Sequence, residues 1–86
     1  MIQIKVFGTT PACANCKRAE QQAFKAAEQF PGQVEVLKLD ALGPEADAYG
    51  IMSTPLIVVN EEVVSRGRVL PAAKLAGMLE ELLKGD

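Results

Sequence analysis

The 86-residue sequence has no histidine and no tryptophan, and aromatic residues make up only 5% of it. Without histidine there is no Ser-His-Asp triad, no Cys-His nucleophile pair and no histidine metal site. Any chemistry must use thiols, carboxylates, amines or backbone groups. Basic residues are not in surplus either: nine Lys and Arg stand against eleven Asp and Glu, a net charge of −2. A general nucleic-acid binder carries a basic excess to neutralise phosphates, so no nucleic-acid partner is expected. No run of about 18 apolar residues is present, so no membrane span is expected. The opening Ile2-Gln3-Ile4-Lys5-Val6 reads as a strand and lacks the pattern of a secretory signal, which points to a cytoplasmic location.

What remains is ordinary globular composition, 49% hydrophobic and 23% charged, at a length that suits one domain over residues 1–86. With so few aromatics, the core has to come from Ala, Val, Leu and Ile. Only two cysteines occur, Cys13 and Cys16, spaced C-A-N-C. Closing a four-residue loop is worth only about 2 kcal/mol in the chain-entropy model, a poor return for a structural staple. The surroundings are more informative. Gly8-Thr9-Thr10-Pro11-Ala12 has loop composition and Lys17-Arg18-Ala19-Glu20-Gln21-Gln22-Ala23-Phe24 has helix composition. Cys13 is therefore expected at a helix N-terminus, where unpaired N–H groups and the helix dipole favour an anion. Cys16 is expected one turn in, pointing toward a sheet. A C-x-x-C in this setting reads first as a redox pair. A metal site shared by two C-x-x-C pairs in a dimer, and a pair of inert buried thiols, are the alternatives.

Periodicity gives the rest of the chain. Ile2, Ile4 and Val6 alternate with Gln3, Lys5 and Phe7 as a strand. A helix is predicted from Cys13 to Gln29, with Cys16, Ala19, Ala23, Ala27 and Phe30 as its buried stripe. Gln33 to Asp40 is β-rich, completing a βαβ unit. Gly43 to Gly50 reads as a short helix with Pro44 at its first position and Gly50 after its end. Leu56-Ile57-Val58-Val59 is a buried strand, Asn60-Glu61-Glu62 a turn, and Val63 to Arg66 the returning strand, which Gly67 ends or bulges. Leu75, Met78, Leu79 and Leu82 mark the inner face of a last helix from Pro71 to Lys84.

Two segments of this β-α-β-α-β-β-α order carry a resemblance: Cys13-Ala14-Asn15-Cys16 after the first strand, and Tyr49-Gly50-Ile51-Met52-Ser53-Thr54-Pro55-Leu56 about 40 residues on. The second is similar to the segment around the cis-proline of thioredoxins, and the whole resembles the thioredoxin superfamily at glutaredoxin size, in particular the small redox-active disulfide proteins. The resemblance implies an α/β thioredoxin-like fold, a four-stranded mixed sheet flanked by helices. It implies a thiol–disulfide oxidoreductase that reduces protein disulfides, with Cys13 as nucleophile, Cys16 as resolving thiol and the Cys13–Cys16 disulfide as the oxidised state. It also implies a cis Thr54–Pro55 bond, with Thr54 docking an extended stretch of substrate and its hydroxyl near a cysteine sulfur. Met52, Ser53, Pro11 and Ala12 would complete the substrate-binding surface. No metal and no cofactor beyond the redox-active disulfide are expected. The expected partners of a monomer are disulfide-containing proteins and a flavoprotein disulfide reductase or another dithiol donor. A metal-binding dimer and a redox-silent interaction domain on the same fold are the competing functions.

The sequence also departs from the family. Ala12 stands where thioredoxins usually have tryptophan, and Ala14-Asn15 where they usually have Gly-Pro. The strand Ile2–Phe7 lacks the buried acid that many use to take the proton of the second thiol, which leaves water, Lys5 or an acid from elsewhere; Lys5 reads as a solvated strand lysine. No lysine precedes Cys13, and Arg66-Gly67-Arg68 replaces the Gly-Gly and acid of glutathione-binding relatives, which argues against glutathione as the main substrate. Those two arginines, with Lys17 and Arg18, read as solvated.

Overall fold

The structure, a computed structural model, describes residues 2–9, 14–47, 49 and 54–84. The elements run β1 (Ile2–Gly8), α1 (Ala14–Glu28), β2 (Val34–Asp40), α2 (Pro44–Asp47), β3 (Leu56–Val59), β4 (Glu62–Arg66) and α3 (Ala72–Lys84). The strands form one sheet in the order β2-β1-β3-β4. β1 pairs parallel with β2 and antiparallel with β3, and β3 pairs antiparallel with β4. The expected fold and element order are therefore present.

The alternation along β1 divides its side chains between two cores. Ile2, Ile4 and Val6, with Ile57 and Val59 of β3, pack against Ala19, Ala23 and Ala26 of α1 and Leu75 and Leu79 of α3. Phe7, Leu56 and Val58 face the other way, with Ala46 of α2, Leu39, Tyr49 and Val63. This is why Leu56–Val59 reads as four consecutive apolar residues: both of its faces are covered, and all four are buried.

Some details differ from the periodicity reading. Ala26, not Ala27, completes the buried stripe of α1, and Ala27 lies at its margin, half-buried. On α3, Leu75 and Leu79 are buried, but Leu82 is 48% exposed and borders a groove beside Val59, Asn60 and Val64. The irregularity in the hairpin falls earlier than Gly67. Val58 pairs with Val63 and Ile57 with Ser65, so Val64 is the extra residue. Gly67, at φ 70°, ends the strand and donates its N–H to the Pro55 carbonyl at 2.8 Å.

Two tertiary hydrogen bonds tie the elements together. Asn60 and Glu61 both take positive φ in the β3–β4 turn, and Asn60 Oδ1 accepts from the Gln3 N–H at 3.0 Å. At the start of α3, where Pro71 supplies no capping side chain, the N–H of Ala72 donates to Gln22 Oε1 of α1 at 2.7 Å. One of the orphan donors of α3 is thus satisfied from a neighbouring helix.

Candidate active site

Because β1 runs toward Gly8 and α1 runs back along the same sheet face, the first turn of α1 lies over the end of β1. Cys16 is in that turn and is only 1% exposed. Gly8 makes the approach possible: a Cβ placed there would lie 3.1 Å from Cys16 Cβ and 3.2 Å from its sulfur. Any larger residue would push the helix off the strand. Thr9, the next residue, brings its Oγ1 to 4.0 Å from Cys16 Sγ. Cys16 is not a free thiol in this structure. It thus lies one turn in and toward the sheet, where the sequence put it.

Of the other expected site residues, Thr54 and Pro55 are described, and their peptide bond is cis. Pro55 is buried and Thr54 half-buried. Cys13, Pro11, Ala12, Met52 and Ser53 lie outside the described residues, as does Gly50. Among the described residues, Thr9, which has loop composition around it and no role assigned from sequence, lies at the Cys16 sulfur.

Beside Cys16 opens a pocket of about 350 Å³. Gly8, Thr9 and Cys16 line it, together with Glu20, Lys38 and Asp40. Glu20 lies one turn beyond Cys16 on α1, with a side chain only 16% exposed, and accepts an ion pair from Lys38 Nζ at 2.9 Å. The charged face expected of Lys17 and Arg18 is present, since both are exposed, and so are Arg66 and Arg68.

Lys5 is not the solvated lysine its sequence context suggests. Its side chain is 17% exposed and donates to Glu61 Oε1 at 2.9 Å and to Tyr49 Oη at 3.2 Å. Its ammonium lies 5.5 Å from the centre of the Tyr49 ring, which packs in turn on Phe7. The hydrogen bonds to Glu61 and then Tyr49 raise the pKa of Lys5, and the Lys5 hydrogen bond lowers that of Glu61. This cluster lies on the Phe7 face of the sheet, opposite Cys16, so Lys5 is excluded as a proton acceptor for that thiol.

A family model described as a thioredoxin domain matches residues 2–80. A thioredoxin of the archaeon Methanocaldococcus jannaschii is 36% identical over 64 residues, 72% of this chain and 74% of that protein. The chain belongs to the thioredoxin family. The backbone agrees. A chloroplastic thioredoxin z superposes with a TM-score of 0.81 at 23% identity, over 99% of this chain and 80% of that one. Thioredoxin-2 of a malaria parasite superposes with a TM-score of 0.75 at 16% identity, over 94% of this chain and 82% of that one. Family membership supports a thiol–disulfide oxidoreductase type of function and a redox role in general terms. Among the described residues, no helix is long and apolar enough to cross a membrane, and no three His, Cys, Asp or Glu side chains group as metal ligands.

Proposed function

We propose that this thioredoxin-family chain reduces protein disulfides through a Cys13–Cys16 dithiol/disulfide couple. The observation that carries the reading is the placement of Cys16. Its sulfur is recessed against Gly8 and Thr9 at the start of α1, in a sequence whose one other cysteine stands three residues before it.

Cys13, as thiolate, attacks one sulfur of a substrate disulfide; that S–S bond breaks and a mixed disulfide forms. Cys16 then loses its proton and attacks the Cys13 sulfur. The Cys13–substrate bond breaks, the Cys13–Cys16 bond forms, and the substrate leaves with two electrons and, after protonation, two thiols. Holding the second thiol beside the mixed disulfide makes resolution intramolecular, and much of the rate advantage of such a site arises there. Thr54 and Pro55, with Met52, Ser53, Pro11 and Ala12, are assigned to the surface that receives an extended substrate segment. The couple needs no further cofactor and no metal. Its partners are disulfide-containing proteins and a flavoprotein disulfide reductase or another dithiol donor, acting on a cytoplasmic monomer.

The test is Cys16→Ser. Incubated with a disulfide-bonded protein, the variant should accumulate a mixed disulfide through Cys13 that reducing agent releases, visible by intact mass, while Cys13→Ser should give neither adduct nor turnover. Normal turnover by Cys16→Ser on a substrate that requires a dithiol would overturn the assignment.

A further inference from the structure

The Cys16 sulfur can attack only as a thiolate, yet at 1% exposure bulk water does not reach it freely. Among the described residues, the pocket that opens beside it offers its proton a way out. The parallel pairing of β1 and β2 shows how that pocket arises. Ile2 pairs with Val34, Ile4 with Val36, Val6 with Lys38 and Gly8 with Asp40, so these four β2 residues form the row that faces α1. The row is apolar for two steps and then turns charged at Lys38, level with Val6. On α1 the stripe of small residues is flanked at the same level by Glu20. A strand row and a helix stripe both admit a charge one level below Cys16, and the two charges pair at 2.9 Å. Departures from local pattern are expected at functional or strained sites.

Resting on the reading of Cys16 as the resolving thiol, we propose that Glu20 is the group that receives the Cys16 proton, and that Lys38 holds its carboxylate in place. Cys16 and Glu20 are four residues apart on one helix, so their Cβ atoms are about 5–6 Å apart. The pocket they share holds about 350 Å³, room for several waters at about 30 Å³ each. Side chains that close, lining one pocket, can pass a proton across a single bridging water. In the step, the S–H proton of Cys16 passes to the Glu20 carboxylate, the thiolate forms the bond to Cys13 as the substrate thiolate departs, and Glu20 then releases the proton through the pocket to solvent. The other charges at the pocket are Lys38 and Asp40 of β2. Asp40 lines the pocket on the same row, level with Gly8, but it is exposed and its Oδ1 already accepts from the Leu42 N–H at 2.8 Å, whereas the Glu20 side chain is only 16% exposed. Val6 and Gly8 of β1 contribute none.

A stopped-flow reaction of the reduced protein with a bis(nitrobenzoate) disulfide separates the steps. The first coloured thiolate reports attack by the nucleophilic cysteine, and the second reports resolution by Cys16. Glu20→Gln should slow the second phase at least about tenfold near neutral pH. This is below the 100- to 10,000-fold typical of a well-matched base, because a carboxylate is several pK units less basic than a thiolate. The first phase should change by less than about twofold, and the gap in the second should close at alkaline pH, where hydroxide takes the proton. Lys38→Gln breaks the same ion pair but keeps the carboxylate, so it should slow the second phase far less. A second phase unchanged in Glu20→Gln, an equal loss in Lys38→Gln, or a gap that does not vary with pH would each overturn the proposal. Absence of any second phase in the unmodified protein would instead overturn the dithiol reading on which it rests.

Discussion

Replacing Gly8 by alanine tests how closely α1 is seated on β1. The added methyl would lie 3.1 Å from Cys16 Cβ and 3.2 Å from its sulfur, whereas carbon contacts are comfortable at about 3.5–4.0 Å. The nearer atom is a Cβ fixed to helix backbone, so no side-chain rotation relieves the clash, and α1 itself has to shift by a few tenths of an ångström. Overpacking of this kind costs about 1–3 kcal/mol. Alanine returns about 0.4–1 kcal/mol by restricting the unfolded chain. The net loss should be about 1–2 kcal/mol, from a total of roughly 4–13 kcal/mol for a domain of 86 residues. At about 4–8 °C per kcal/mol, Tm should fall by about 4–16 °C. Urea and thermal denaturation followed by far-ultraviolet circular dichroism measure it. Gly77→Ala is the control: nothing lies within 4 Å of a Cβ at that helical position, and it should gain about 0.5–1 kcal/mol. In reducing buffer, adding Cys16→Ala to Gly8→Ala removes the sulfur contact and should recover at least about 0.5 kcal/mol. If Gly8→Ala melts with the unmodified protein, or above it, the close seating of Cys16 on β1 is wrong.

Gln22→Ala removes the acceptor of the Ala72 N–H at the start of α3. It should cost about 1 kcal/mol in urea denaturation, and faster amide exchange at Ala72 would place the loss at that helix end. Lys5→Met should give a pH-dependent loss. The pKa of Lys5 is raised above its usual 10.5, so its contribution is complete below about pH 10.5 and disappears as pH climbs through the raised value. Glu61 is held below its usual 4.5, so its contribution is complete above about pH 4.5 and disappears as pH falls through the lowered value. The gap in denaturation midpoint between the two proteins should be flat across the neutral range and shrink at both extremes. A gap that peaks in acid or alkali would show that the Lys5–Glu61 pair is not its source.

Much of this arrangement is legible in the sequence because it rests on local pattern. Period-two alternation located β1, the four apolar residues of β3 were found to the residue, and loop composition giving way to helix composition set Cys16 one turn into α1. Lys5 is harder, since a lysine inside a strand ordinarily points to water, and nothing in the local sequence assigns Lys38 a role. Here Lys5 is covered by Tyr49 from 44 residues away, and Lys38, on the helix-facing row, pairs with Glu20 while its side chain stays 61% exposed. Only the register of the parallel strands, which the sequence does not encode locally, puts Lys38 level with Val6. The Gln22 cap has the same character, joining residues 50 apart. Leu82 failed in the opposite sense. Its helical spacing is right, but periodicity does not say how completely a neighbouring element covers each position of the stripe, and Leu82 is left bordering an open groove.

The near-complete enclosure of the Cys16 sulfur also equips the reduced protein with an internal sentinel. A reagent too bulky for the pocket beside it captures that atom when the beginning of α1 lifts from β1, so its rate of labelling reports that local opening. Bound partners, temperature and substitutions at distant positions could then be ranked by how firmly they hold this corner of the molecule shut, with no dye or isotope introduced.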